Sequence, residues 1–218
     1  MSEIISNARI IKSTGSWYQA LDDDFNIIEC RLRGKFRVQG IKSTNPVAVG
    51  DIVDIDTENN SIIKISERKN YIIRKATKLS KQTHIIASNM DQAILIASLA
   101  KPRTSTGFID RFLITAEAYH IPAIIVFNKI DLLDEEQNNI LKEQIMIYEE
   151  AGYICLQTSV KESINLDKFK NLLSSKISLL SGHSGVGKSA LINTVKPDLE
   201  LKTGEISDYH SKGMHTTT

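Results

Sequence analysis

The stretch Gly182-His183-Ser184-Gly185-Val186-Gly187-Lys188-Ser189 most constrains what this chain can fold into. It satisfies G-x-x-x-x-G-K-[ST] at every fixed position, the pattern of a loop that cradles phosphates. The chemistry requires these residue types. Glycines let the backbone turn back so that successive N–H groups point inward as an anion nest. The helix that follows, beginning around Ser189-Ala190, adds its positive N-terminal end. The Lys188 ammonium then reaches the β- and γ-phosphate oxygens, and the Ser189 hydroxyl is placed to ligate Mg²⁺. A short apolar run over 177–180 precedes the loop and helix-forming residues follow it, which is the strand–loop–helix setting that the pattern needs.

The loop sits in the second of two contrasting textures. Up to about residue 65 the chain reads as five short strands, over 8–13, 16–21, 25–33, 49–56 and 61–65. Turn signals separate them at Asp22-Asp23-Asp24, Asn45-Pro46 and Glu58-Asn59-Asn60. Five such strands predict a small OB-fold-like β-barrel over residues 1–67. Arg31, Arg33, Lys35 and Arg37 stand at alternate positions, so a continuous strand would put all four on one face. Two readings stay open there. One is an RNA-phosphate track with Trp17, Tyr18 and Phe36 as stacking platforms; the other is a solvated hairpin face with core aromatics. Residues 68–83 are basic and weakly periodic and read as a linker.

From residue 84 to 218 apolar runs alternate with helical stretches. Strands are expected over 84–87, 92–98, 123–127, 153–156 and 177–180, with helices over 107–119, 134–150 and 165–173. This pattern predicts an α/β domain, a mostly parallel sheet with helices on both faces, whose sites lie at the carboxyl ends of strands. Directly after the run 123–127 comes Asn128-Lys129-Ile130-Asp131, the N-K-x-D pattern that reads guanine. A carboxylate at Asp131 can accept both the ring N1–H and the 2-amino group, donors that adenine lacks. Asn128 would tie this loop to the phosphate loop, and the Lys129 stem would pack over the base. Thr158-Ser159-Val160-Lys161 follows the next strand, where a short loop can meet guanine O6, with Ser159 and Lys161 as its candidates. The bland alternative for N-K-x-D is a strand-to-helix turn with Asp131 as a cap.

The order of these motifs is unusual, because the base-reading loops precede the phosphate loop. A circularly permuted sheet accommodates that order. With an N-terminal barrel in front, the chain resembles the RsgA (YjeQ) family of GTPases that act in biogenesis of the small ribosomal subunit. Val49-Gly50-Asp51-Ile52-Val53, Asn89-Met90-Asp91-Gln92, Ile109-Asp110-Arg111-Phe112-Leu113 and Lys212-Gly213-Met214-His215-Thr216-Thr217-Thr218 carry the likeness further. The resemblance implies a circularly permuted P-loop GTPase domain behind an OB-fold-like barrel. It implies GTP and GDP as ligands with Mg²⁺, and the small (30S) subunit and its rRNA as partners. In the last segment, a switch-like stretch, the resemblance makes His215 the residue that orients the attacking water and Thr217 a second Mg²⁺ ligand. It makes Lys188 the residue that stabilises the transferring phosphoryl group.

No D-x-x-G segment occurs, and the five histidines and two cysteines show no zinc-ligand spacing. The expectation is therefore a chain lacking part of the GTPase domain and a zinc-binding extension, weak or inactive in hydrolysis by itself. The alternatives are a non-catalytic RNA-binding module with a vestigial nucleotide site, or an ATP-using P-loop enzyme. Charge divides unevenly: residues 1–81 carry 14 Lys/Arg against 10 Asp/Glu, and the remainder 13 against 16. The first third is thus mildly basic, as an RNA-facing barrel would be. No run is long enough to span a bilayer and no secretory signal is evident. Cys30 and Cys155 fall in predicted strands as buried free thiols, which fits a reducing cytoplasm, and a monomer is expected.

Overall fold

The computed structural model describes residues 3–32, 46–75 and 83–201. The chain divides into two compact units, Met1–Met90 and Asp91–Thr218.

The first unit is built on a closed five-stranded barrel in the order β1-β2-β3-β5-β4. Its strands are β1 (Ile4–Thr14), β2 (Trp17–Leu21), β3 (Ile27–Leu32), β4 (Ile52–Asp56) and β5 (Ser61–Ile65). All neighbours are antiparallel except β3 and β5. The long β1 closes the barrel because it pairs with both β2 and β4. Register shifts between Ile5 and Ala8 and between Ile10 and Lys12 bend it from one partner to the other. Period-two alternation sends Ala8, Ile10, Tyr18, Ala20, Cys30, Val53 and Ile55 into one core. Tyr18, a candidate stacking platform from sequence, is therefore a core residue with 2% of its surface exposed. Its chain neighbour Trp17 points outward.

Two further strands, β6 (Tyr71–Lys75) and β7 (Thr83–Ser88), pair with each other antiparallel. The expected strand over 84–87 thus exists but belongs to this hairpin in the first unit, and the stretch expected to be a linker supplies its partner. The hairpin is tied to the barrel through Val49-Gly50-Asp51. Val49 bridges Ala87. A side chain at Gly50, whose φ is +94°, would collide with the Ser88 carbonyl, so only glycine permits this approach. Beside it Asp51, wholly buried, receives two bonds from Arg68 (2.7 and 2.6 Å), one from the Ser88 hydroxyl (2.5 Å) and one from the Ala48 N–H (2.9 Å). Arg68 also donates to the Pro46 carbonyl at 2.8 Å.

The second unit is a parallel four-stranded sheet, order β10-β9-β8-β11, with β8 (Gln92–Ala97), β9 (Ala123–Asn128), β10 (Ile154–Thr158) and β11 (Ser178–Ser181). Four helices accompany it: α1 (Thr106–Ala118), α2 (Glu135–Glu150), α3 (Leu166–Leu173) and α4 (Lys188–Val195). Alternate residues serve opposite faces. Leu95, Ala97, Ile125 and Phe127 pack with Ile109 and Leu113 of α1 and Leu141 and Tyr148 of α2. Ile94, Ile96, Ile124 and Val126 pack with Phe169 of α3 and Leu191 of α4. All six residues of β8 are buried, as a central parallel strand requires. After β10 the chain crosses to the far side of β8 before laying down β11, which reverses the strand order. That switch point is where sheets of this type hold ligands.

Candidate functional site

Three of the four strands end in the segments singled out from the sequence. β11 runs into the phosphate-type loop, β9 ends at Asn128, and β10 ends at Thr158. The parallel register brings these ends to one rim: Thr158 lies beside Asn128, and Leu180 beside Ile94.

The loop Gly182–Ser189 wraps around its own lysine. The Lys188 ammonium donates to the carbonyls of Gly182 (2.8 Å) and His183 (2.7 Å). Burial lowers its pKa below the ordinary lysine value. Gly187 is the N-cap of α4 at φ +100°, and a Cβ there would overlap the Asn128 amide. The cradle therefore exists only with glycine at that position. Ser189 and Ala190 form the first turn of α4, while Val186 is fully buried beneath the loop. Ser184 and Gly185 complete the turn, Gly185 at φ +83°. The His183 ring stacks on Phe108 of α1, centroids 4.1 Å apart and planes at 35°. Burial, and then the Lys188 charge, push the His183 pKa down, so its imidazole is neutral at pH 7.

Asn128 joins this loop to the base-reading segments. Only 3% exposed, it donates to the Val186 carbonyl at 2.9 Å and accepts the Thr158 hydroxyl at 3.0 Å. Each polar atom of its amide is thereby used to hold a different loop. Lys129 adopts a left-handed backbone (φ +65°) and starts the short 3₁₀ turn Ile130–Leu132 that carries Asp131. The Asp131 carboxylate receives the Ser159 hydroxyl at 2.6 Å. Ser159 is itself buried, and its oxygen accepts the Glu162 N–H at 3.1 Å. The carboxylate is thus held in one orientation by its neighbours. Lys129 sends its ammonium to the Lys101 carbonyl at 3.3 Å, and burial lowers its pKa against the opposing pull of Asp131. Lys161 lies in the turn after β10 with its side chain in solvent, 3.8 Å from Glu162. An exposed pair of this kind contributes little.

The structure thus brings together Asn128, Lys129, Asp131, Ser159 and the loop Gly182–Ala190. It adds Thr158, Phe108 and the Lys101 carbonyl, which sequence reasoning did not assign. Thr158 was within reach, since it adjoins Ser159. Phe108 and Lys101 carry no local signal, because their roles come from partners dozens of residues away. His215 and Thr217 lie outside the described residues, as do Arg33, Lys35, Arg37 and Phe36. Arg31 lies on β3 with its guanidinium 5.8 Å from the centre of the Trp17 ring. Among the described residues no group of three or more His, Cys, Asp and Glu could hold a metal ion. Ser189, in the first turn of α4, is the candidate Mg²⁺ ligand. Among the same residues no helix is long and apolar enough to cross a membrane.

Comparison with known proteins places both units in one family. Residues 65–218 match the family model described as RsgA GTPase, and residues 7–63 match that of the RsgA N-terminal domain. A Bacteroides thetaiotaomicron protein named small ribosomal subunit biogenesis GTPase RsgA 2 is 54% identical over 212 residues, covering 96% of this chain and 68% of the relative. Its counterpart from Christiangramia forsetii is 55% identical over 215 residues, with the same coverage of both chains. Among solved structures, YjeQ from Thermotoga maritima matches with a TM-score of 0.73 at 32% identity, over 94% of this chain and 71% of that one. YloQ, described as a circularly permuted GTPase, matches with a TM-score of 0.68 at 33% identity, over 95% and 69%.

Proposed function

The chain belongs to the RsgA GTPase family, and from that premise we propose how its residues divide the work of a GTP-hydrolysing factor in small-subunit assembly. The observation that carries the reading is the buried Asn128 amide, which ties the loop Gly182–Ser189 at Val186 to Thr158, the neighbour of the serine that holds Asp131. Asp131, preset by Ser159, accepts the N1–H and 2-amino protons of guanine. Lys129 covers the ring, and the backbone around Ser159 and Lys161 meets O6. The N–H groups of the loop and of the first turn of α4 surround the phosphates, and Lys188 exchanges its two carbonyl partners for phosphate oxygens. Ser189 would hold Mg²⁺, which when bound would supply positive charge to offset that of the phosphates. In hydrolysis Lys188 and the backbone nest stabilise the charge spread over the transferring phosphoryl group during in-line attack by water. His215 orienting that water and Thr217 as a second Mg²⁺ ligand follow from the family resemblance.

The barrel is the rRNA-binding part in this reading, with Arg31, Arg33, Lys35 and Arg37 contributing to the contact. The protein works in the cytoplasm as a monomer that docks on the small ribosomal subunit, with the barrel in the first unit and the nucleotide site in the unit that begins at Asp91. Calorimetric titration with GDP, GTP and ATP, with and without Mg²⁺, tests the nucleotide assignment alongside Asp131→Asn. Guanine nucleotides should bind at micromolar strength or better with ATP silent, and Asp131→Asn should abolish the preference. Equal binding of ATP would overturn the guanine assignment. Purified small subunits should cosediment with the chain, and absence of that association would overturn the proposed partner.

A further inference from the structure

The outer face of β1, β2 and β3 carries two cross-strand rows set by the register. Thr14, Trp17 and Arg31 form one, and Lys12, Gln19 and Glu29 form the next. Successive residues of one strand face are two positions apart, so the rows lie side by side on the solvent face of the barrel. All of these residues except Arg31 line, together with Tyr18, a concavity of about 400 Å³. Trp17 is 51% exposed on its rim, although tryptophan is usually largely buried in a folded domain. Arg31 approaches the Trp17 ring to 5.8 Å, within cation–π range. In the adjoining row Gln19 donates to Glu29 Oε1 at a long 3.4 Å.

We propose that this concavity is a binding site for one unstacked nucleobase of a single-stranded RNA segment, and that it favours bases bearing an exocyclic amino group. The proposal rests on the reading of the barrel as an rRNA-binding part. Several features together point to RNA. A planar indole exposed on a strand gives a stacking platform that any base can use. The guanidinium beside the indole and Lys12 on the lining supply positive charge for the phosphates that flank a stacked base. Glu29 distinguishes this face from a plain phosphate track. A carboxylate repels phosphate, but at the edge of a stacked base it accepts an amino proton, as carboxylates do from cytosine N4. Gln19, directly across from it, donates to that carboxylate. Uracil, with no amino group, gains stacking alone.

The chain offers its own probe, because Trp17 is its only tryptophan. Saturating GDP occupies the nucleotide site of the second unit, and eight-residue oligo(A), oligo(C) and oligo(U) are then titrated into the full 218-residue chain. Indole fluorescence should be quenched by all three, with oligo(A) and oligo(C) binding several-fold more tightly than oligo(U). Labelled oligonucleotides followed by anisotropy should lose roughly 5- to 150-fold in affinity with Trp17→Leu, the range expected for one base stacked on an aromatic ring. Glu29→Gln should level the preference while retaining the quench. Trp17→Leu changes a surface side chain and should leave GDP binding unaltered, which checks its fold.

Oligonucleotides that bind without quenching Trp17, or bind equally to Trp17→Leu, would overturn the site while leaving small-subunit docking intact. Loss of small-subunit cosedimentation in Trp17→Leu with all three oligonucleotides silent would assign the face to a ribosomal protein and overturn the RNA assignment. Failure of the unaltered chain to cosediment with small subunits tests the underlying reading, not the pocket. Quenching by the oligonucleotides would still support the pocket in that case, and its absence would still refute it.

Discussion

Asn128→Ala separates the two loops of the nucleotide site, and its cost follows from two hydrogen bonds. The wild-type amide donates to the Val186 carbonyl and accepts the Thr158 hydroxyl, and both Val186 and Thr158 are fully buried. Truncation leaves each group without that partner. An unpaired buried polar group costs about 1–3 kcal/mol, so the pair amounts to roughly 2–6 kcal/mol. Domains of this size have about 5–15 kcal/mol in total, so the variant should fold but unfold much earlier. With a urea slope of about 2 kcal/mol per molar, the midpoint should fall by roughly 1–3 M. Two probes restrict the measurement to one unit. Every described helix lies in the second unit, so helical circular dichroism follows that unit, whereas Trp17 fluorescence follows the first. The dichroism transition of Asn128→Ala should move by the stated amount. Thr158→Val, which removes one bond, should move it less, and the double variant should fall short of the sum because the residues share a bond. A midpoint change equivalent to less than about 0.5 kcal/mol, the scale of an ordinary surface substitution, would refute the role given to Asn128.

Ser159→Ala should weaken GDP binding about 2- to 10-fold in calorimetry, from loss of one hydrogen bond that presets Asp131, while ATP binding stays negligible. His183 titrates below its ordinary value of 6.5 in the folded chain, so between that value and its folded pKa the unfolded state holds more protons. Folded stability should therefore fall as pH drops below about 6.5, and His183→Gln should reduce that fall. Parallel melting curves for both proteins between pH 7.5 and 5 would contradict this. Arg68→Met leaves Asp51 as a buried charge without its partner and should cost the first unit about 3–5 kcal/mol, read as an earlier Trp17 fluorescence transition in urea.

Local pattern carried most of the second unit. The apolar runs over 92–98 and 123–127 alternate between two faces once paired, and the two motifs marked the ends of β9 and β11. The barrel strands were legible because turn residues punctuate them. Direction and partner were not, since a four-residue apolar run such as 84–87 reads alike in a parallel sheet or a hairpin. Its place is decided by the backbone approach of Gly50 to Ser88, 38 positions away in sequence. Arg68 sat in a stretch that read as a basic linker, because nothing local announces that its charge is neutralised by Asp51 inside the fold. Tyr18 and Trp17 are adjacent aromatics that composition treats alike. Strand alternation buries one and exposes the other, and the phase became fixed only when β1 and β3 paired on either side.

The crossing from β10 to the far side of β8 also orders events in time. On the ribosome the chain emerges from its N-terminus, so β8, β9 and β10 become available while β11 is still being made. These three strands are consecutive in sequence and adjacent in space, and they can pair over short separations. The seam between β11 and β8 joins residues some 86 apart, and the Asn128–Val186 bond spans 58. Closing such long loops is the slow, entropically costly part of assembly. The nascent chain therefore forms the rim that carries Asn128, Asp131 and Ser159 before it forms the loop Gly182–Ser189, and the two come together in one late step, when translation releases α4.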